Sequence, residues 1–298
     1  MSGWRTTEMP EQTDRRVVVT GANSGIGFHA ARELAQHGAH VTLAVRDTEK
    51  GEEASRRIPG ATEVRRLDLA DLDSVRAFAD TWDEPLDLLI NNAGIMAPPY
   101  RTTAQGFESQ LGTNHLGHFA LTGLLLPWLG KTSAPRVVTV SSGAHRMGKI
   151  RFDDLQSEQG YKPWRAYGQS KLANLLFCFE LQRRADNAGS PLISTAAHPG
   201  YAATNLQTGT SSRLQDLVMG VLNKVVAQSA EAGALPTLMA ATADLPGAAY
   251  VGPAGPGEAR GLPHLVGASD AATDAQTAAR LWAVSEELTG VAFDFVAS

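Results

Sequence analysis

"VVVTGANSGIG", Val17 to Gly27, runs from β-branched residues straight into a segment with glycines at Gly21, Gly25 and Gly27. The residues before Gly21 read as a strand, and Ala30, Ala31, Leu34 and Ala35 read as the inner face of a helix that stops at Gly38. Between the two, three positions without side chains mark a tight turn or a close approach to a ligand. A helix that begins just after a strand aims unpaired N–H groups and its positive dipole end at the turn, which suits a pyrophosphate. Glycine-rich turns without a ligand share this spacing, so the motif alone leaves nucleotide binding as one of two readings.

Working outward, "HVTLAV" (40–45) completes a first strand–helix–strand unit, and residues 15–20, 63–67, 86–90, 136–141 and 192–198 read as further strands between helical patterns. That alternation predicts a doubly wound parallel sheet with helices on both faces. Leu214, Leu217, Val218, Val221, Leu222 and Val225 repeat at helical spacing, and another helix is expected within 273–288. "GPAGPGEARG" (252–261) reads as a loop near the end of the sheet. No repeat or linker divides the 298 residues, so a single domain over 1–298 is expected, with a polar N-terminal extension over 1–14.

The net charge of −5 and the lack of any dense Lys/Arg run argue against a nucleic-acid partner or an anionic membrane surface. The single cysteine, Cys178, excludes an intrachain disulfide framework and a thiolate-rich metal site, and fits a reducing compartment. The first residues lack an apolar segment, and "LTGLLLPWL" is short and interrupted by Pro127, so a cytoplasmic protein without a membrane anchor is expected. His115 and His118 stand three apart with no third ligand in view; packing or capping is their expected role, and no metal is expected.

A second constellation gives the glycines a purpose. "YGQSK" puts Tyr167 and Lys171 one helical turn apart on a shared face. A phenol ionises near pH 10, and a neighbouring ammonium favours its phenolate, so the pair is suited to proton transfer. Strand "RVVTV" runs into Ser141 and Ser142, and the carboxyl ends of parallel strands meet the ligand crevice. A serine hydroxyl there can hold a substrate oxygen beside Tyr167.

With these motifs together, the sequence resembles the short-chain dehydrogenase/reductase family from about Val17 to Thr204, with weaker similarity to the C-terminus. "TGANSGIG" is similar to the family's cofactor motif, "NNAG" (Asn91 to Gly94) to its signature after the fourth strand, and "YGQSK" to its catalytic helix. The resemblance implies a single-domain Rossmann-type fold and a catalytic set of Asn114, Ser142, Tyr167 and Lys171. In that set Tyr167 moves the proton, Lys171 lowers the tyrosine pKa and bonds the nicotinamide ribose, Ser142 orients the substrate oxygen, and Asn114 anchors a water. For the cofactor it implies contacts from Gly21, Asn23, Ser24, Gly25, Ile26 and Gly27, and from Asn92, Ala93 and Gly94. Asp68 and Leu69 of "RLDLAD" fall where the family meets the adenine ring, and Pro199, Gly200 and Thr204 of "HPGYAAT" where it meets the nicotinamide and pyrophosphate.

"AVRD", "GKIRFDDLQSE" and "RLWAVSEELTG" bring the resemblance nearest to the retinol-dehydrogenase-like and WW-domain-oxidoreductase-like branch. Neither the apolar N-terminal anchor of that branch's membrane-active members nor a WW domain is expected ahead of the cofactor fold, so retinoid specificity is not implied. The implied reaction is reversible hydride transfer between a nicotinamide cofactor and a small-molecule alcohol or carbonyl. Val45 occupies the position where an acidic residue would select NAD, and Arg46 follows it, which favours NADP with NAD as the alternative. Asp47 lies close by and complicates the choice. The segment 205–228 is expected to act as a substrate lid, favouring an apolar substrate body. Tyr167 lies on the family's common dimerisation helix, so a homo-oligomer is compatible with the sequence. Related lyases and epimerases also use YxxxK, but with TGxxGxxG and a larger C-terminal domain. A silent nucleotide-sensing protein is expected to have lost part of the Tyr/Lys pair.

Overall fold

Each central strand carries apolar residues toward both faces, so no face of the sheet can be left in water. Val17 and Val19 enter one core and Val18 the other; Leu88 and Ile90 oppose Leu89 in the same way, and all six are fully buried. The computed structural model, which describes residues 3–200 and 229–295, resolves this demand with helices above and below an eight-stranded sheet. The strands are β1 (Arg16–Thr20), β2 (His40–Val45), β3 (Thr62–Arg66), β4 (Leu88–Asn91), β5 (Arg136–Val140), β6 (Ile193–Ala197), β7 (Tyr250–Pro253) and β8 (Pro263–Leu265). Their spatial order is β3-β2-β1-β4-β5-β6-β7-β8, parallel except for the β7–β8 pair.

Helices α1 (Gly25–Gln36), α2 (Thr48–Ser55), α3 (Leu72–Asp80), α4 (Ser109–Leu111), α5 (Gly117–Leu129) and α6 (Pro163–Asn187) make the crossovers. They are followed by α7 (Ala230–Thr242), α8 (Asp270–Thr273) and α9 (Ala275–Thr289). α1 and α7 cover one face, where Ala30, Ala31 and Leu34 meet Ala234 and Leu238. α3 and α5 cover the other, and α9 lies over α5 and α6. There Trp282 stacks on Phe177 with centroids 5.7 Å apart and meets the edges of Phe119 and Phe293. Aromatic rings of this size dominate a core by the area they withdraw from water.

In the polar N-terminal stretch, Trp4 and Met9 insert into the α1-side core. One expectation changes. The expected loop over 252–261 is partly sheet: β7 takes its first residues, and a turn returns the chain as antiparallel β8. Among the described residues, no helix is long and apolar enough to cross a membrane.

Candidate active site

The strand order reverses direction between β1 and β4, and a ligand crevice is expected outside the carboxyl ends of strands at such a point. Thr20 ends β1 and Asn91 ends β4. The Thr20 hydroxyl accepts N–H bonds from Asn92 and Ala93, each at 2.9 Å, and Asn92 Nδ2 donates to the Thr20 carbonyl at 2.8 Å. The two strand ends are thus tied together, and the fit is too close for side chains. A Cβ on Gly27 would lie 2.5 Å from Asn92 Nδ2, and Gly21, at φ +66°, would meet Ala93 at about 3.0 Å.

These glycines border a cavity of about 650 Å³ whose floor includes Asn23, Ser24, Gly25, Ile26, Ala93 and Gly94. Ser24, the N-cap of α1, makes no side-chain capping bond, so the first-turn N–H groups of α1 are left to a ligand. An open helix N-terminus against a side-chain-free floor fits the pyrophosphate of a dinucleotide.

Ser142, Tyr167 and Lys171 stand across this cavity. Pro163 starts α6 at a position where a missing N–H costs nothing, and Tyr167 follows one turn in, with Lys171 a turn beyond. Tyr167 and Ser142 line the same side of the cavity, close enough for Ser142 to act on the Tyr167 hydroxyl. Lys171 Nζ donates to the Val140 carbonyl at 3.1 Å and lies 5.7 Å from the centre of the Tyr167 ring. Both side chains are buried, and burial penalises whichever form is charged. Burial pulls the Lys171 ammonium down to about 8. It holds the Tyr167 phenol above its ordinary value, which Ser142 partly offsets.

Asn114 sits behind the cavity wall, in a π turn over Gly112–Leu116 that interrupts the helix between α4 and α5. Its Oδ1 accepts from Ile95 N at 2.8 Å, and its Nδ2 donates to the Ile95 carbonyl and to Ser170 Oγ. The Asn114 carboxamide thus pins the segment after β4. It still adjoins the lysine, since a Cβ on Gly94 would lie 3.1 Å from Asn114 Oδ1 and 3.5 Å from Lys171 Nζ.

The two histidines of this helix hold the scaffold. His118 Nδ1 donates to the Asn114 carbonyl at 3.0 Å, which leaves Nε2 to accept from Thr20 Oγ1 at 2.9 Å. His115 Nε2 meets Ser285 Oγ of α9 at 2.8 Å. Burial pulls the two rings down to about 4 and about 3, so both stay neutral near pH 7.

A phosphate-ready turn facing a Ser–Tyr–Lys group across one crevice narrows the family, and comparison with known proteins agrees. The short chain dehydrogenase family model matches residues 15–215. Retinol dehydrogenase 12 of Homo sapiens is 44% identical over 297 residues, covering 93% of this chain and 87% of its own. The chain belongs to the short-chain dehydrogenase family. It is an NAD(P)-dependent oxidoreductase acting on alcohols or carbonyls. The crystal structure of an uncharacterized protein from Mycobacterium paratuberculosis is 54% identical, with a TM-score of 0.85, and covers 98% of this chain and 100% of its own. A Beutenbergia cavernae protein titled an NAD(P)-dependent gluconate 5-dehydrogenase, with bound NADP, is 26% identical at a TM-score of 0.59. That match covers 77% of this chain and 90% of the other.

The remaining family positions divide. Pro199 and Gly200, after β6, line the cavity. Arg46, just past the end of β2, is exposed and makes no ion pair among the described residues. Its neighbour Asp47 is engaged: it caps α2 by accepting from Lys50 N at 3.2 Å and pairs with Lys50 Nζ at 2.9 Å. Asp68 and Leu69 follow β3 outside the cavity; Asp68 Oδ1 accepts from Ala70 N, and Leu69 is buried. Thr204, the expected lid over 205–228 and its helix 214–225 lie outside the described residues.

The long stretch between Ser142 and Tyr167 supplies a wall through Met147 and Trp164, and Ile95 and Met96 face the same space. Sequence reasoning missed His198 and Glu258, which also line it. Of the two, only His198 carries a signal, since it directly precedes the Pro199–Gly200 pair.

Proposed function

We propose that the protein transfers hydride reversibly between NADP(H) and an alcohol or carbonyl carried on an apolar body. The observation that carries this reading is the placement of Ser142, Tyr167 and buried Lys171 together on the wall of the glycine-floored cavity. The nicotinamide supplies the hydride. Tyr167 gives the substrate oxygen its proton during reduction and takes it back during oxidation, and Ser142 holds that oxygen within reach. Lys171, fixed by Val140, keeps a positive charge beside the tyrosine and bonds the cofactor's ribose. Asn114 holds the strand end on which Gly94 and Ile95 sit.

Arg46 and the engaged Asp47 support NADP over NAD: a guanidinium suits a 2′-phosphate, and the nearest carboxylate is already committed to Lys50. Ile95, Met96, Met147 and Trp164 support an apolar body. The retinol dehydrogenases among the relatives point the same way by name.

The test is Tyr167→Phe, assayed with NADPH against a panel of aldehydes and ketones. Turnover should fall by roughly 10²–10⁴-fold, the usual worth of a positioned proton donor, with NADPH binding retained. Near-normal kcat in the variant removes Tyr167 from the mechanism.

A further inference from the structure

The turn after β7 carries a carboxylate into the cavity wall. Gly257 at φ +62° and Glu258 at φ +55° are consecutive left-handed residues, a conformation that disfavours any residue with a side chain. The turn is closed beneath them by Gly255 N donating to the Arg260 carbonyl at 2.8 Å and Ala254 N to the Leu262 carbonyl at 2.9 Å. So placed, Glu258 reaches in two directions. Its Oε2 lies 2.9 Å from His198 Nε2, a close charge contact outside hydrogen-bond alignment, and its Oε1 accepts from Arg146 Nη2 at 3.0 Å.

The first direction leads to the cofactor floor. Gly200 N donates to His198 Nδ1 at 3.2 Å, so the proton of the neutral ring sits on Nε2, facing Glu258. The imidazole has nowhere else to go: its side chain is 2% exposed, and a Cβ on Gly252 would lie 2.1 Å from Nε2. Gly200 is backed by the same turn, since a Cβ there would lie 2.5 Å from the Ala259 carbonyl. Carboxylate, imidazole and Gly200 amide thus form one chain of contacts.

The second direction leads to the substrate side. Arg146 belongs to the 3₁₀ turn Gly143–Met147, which begins directly after Ser142, and its Nη2 also donates to the Gly267 carbonyl at 2.9 Å. Glu258 therefore links the wall that follows the catalytic serine to the wall formed by Pro199 and Gly200.

We infer that Glu258 is a positioning residue that holds the Pro199–Gly200 wall in register for the nicotinamide cofactor, acting through His198; the cofactor's chemical class rests on the function proposed above. A carboxylate suits this role better than a neutral group. Its negative charge, 2.9 Å from Nε2, favours the tautomer that carries the proton there and attracts that edge of the ring.

The experiment uses the full-length protein and follows NADPH binding by fluorescence titration, with Tm measured in parallel. Glu258→Ala raises the NADPH Kd about tenfold, the equivalent of about 1.4 kcal/mol, and raises the cofactor KM more than the carbonyl KM. Glu258→Gln, which keeps an oxygen facing His198 Nε2 without the charge, recovers part of the lost affinity. His198→Phe weakens binding as Glu258→Ala does, and adding Glu258→Ala to it changes nothing further, because the route is already cut. An unchanged Kd in Glu258→Ala, or effects that add in the double variant, overturns the inference. A wild-type protein that shows this Kd series but reduces no carbonyl refutes the proposed reaction and leaves the role of Glu258 standing. A wild-type protein that does not bind NADPH overturns both.

Discussion

Lys171 Nζ donates to the carbonyl of Val140, the last residue of β5, and so moors the helix of Tyr167 to the strand end that leads into Ser142. Two more bonds secure the same joint. Ser141 Oγ donates to the Lys171 carbonyl at 2.8 Å, and Asn174 Nδ2 shares the Val140 carbonyl at 3.0 Å. The distance from serine to tyrosine is therefore set by backbone anchors rather than by the two side chains alone. The same joint leaves Lys171 a buried ammonium whose acceptor among the described residues is the Val140 carbonyl.

That burial sets a pH window for the reaction. A cation whose pKa is depressed to about 8 is charged below that pH and neutral above it. Carbonyl reduction should hold steady on the acid side and decline as pH rises through about 8. Lys171→Arg keeps its charge well past this range, so its residual activity should lose that limb. The measurement is kcat against pH for both proteins; a limb near 8 that persists in the arginine variant assigns it to some other group.

At the adenosine end, Arg46→Ala should raise KM for NADPH by roughly ten- to a hundredfold, the range for charge-assisted hydrogen bonds to a phosphate. KM for NADH should change little. Asp47 will not obscure the result, because Lys50 holds its carboxylate through both a backbone and a side-chain bond. Steady-state kinetics with the two cofactors decide the matter, and equal changes in both sink the assignment.

The sequence and the structure agree where periodicity is strong. The run 40–45 is β2 as read, and the helix expected within 273–288 is α9 (Ala275–Thr289). Agreement fails where physical signals cancel. "AEAGALPTLMAAT" is α7, but it is apolar nearly all round and contains Pro236, so it shows neither a helical stripe nor a clean interior. β7 and β8 are three or four residues long and rich in glycine and proline, which mimics a loop. In the site, Tyr167 and Lys171 were legible because a four-residue spacing is local. Glu258 was not: it meets His198 and Arg146 only through the tertiary fold and a left-handed turn that its own side chain disfavours. The burial that raises the Tyr167 phenol was also hidden, since spacing reports neighbours along a helix but not what covers them.

The wall that should select the substrate is apolar and unusually open to solvent. Met147 is 68% exposed and Trp164 45%, yet both border the cavity, and the Trp164 ring stands edge-on to Tyr167 with centroids 6.0 Å apart. Exposed side chains contribute little to folding, so truncating them should leave Tm nearly unchanged, whereas truncating large core residues costs about 2–5 kcal/mol. Their contribution should appear only when a ligand covers them. At roughly 25 cal/mol per Å² of apolar surface removed from water, a substrate burying some 50–100 Å² of either side chain gains about 1–2.5 kcal/mol. Trp164→Ala and Met147→Ala should therefore each raise KM for a long-chain aldehyde such as decanal by about tenfold, the equivalent of about 1.4 kcal/mol. Propanal, too short to reach both the catalytic serine and this rim, should show little change. Parallel kinetics on the two aldehydes separate the outcomes. Equal losses on both place Trp164 with the Tyr167 ring rather than with the substrate body, and a large fall in Tm makes the rim part of the core.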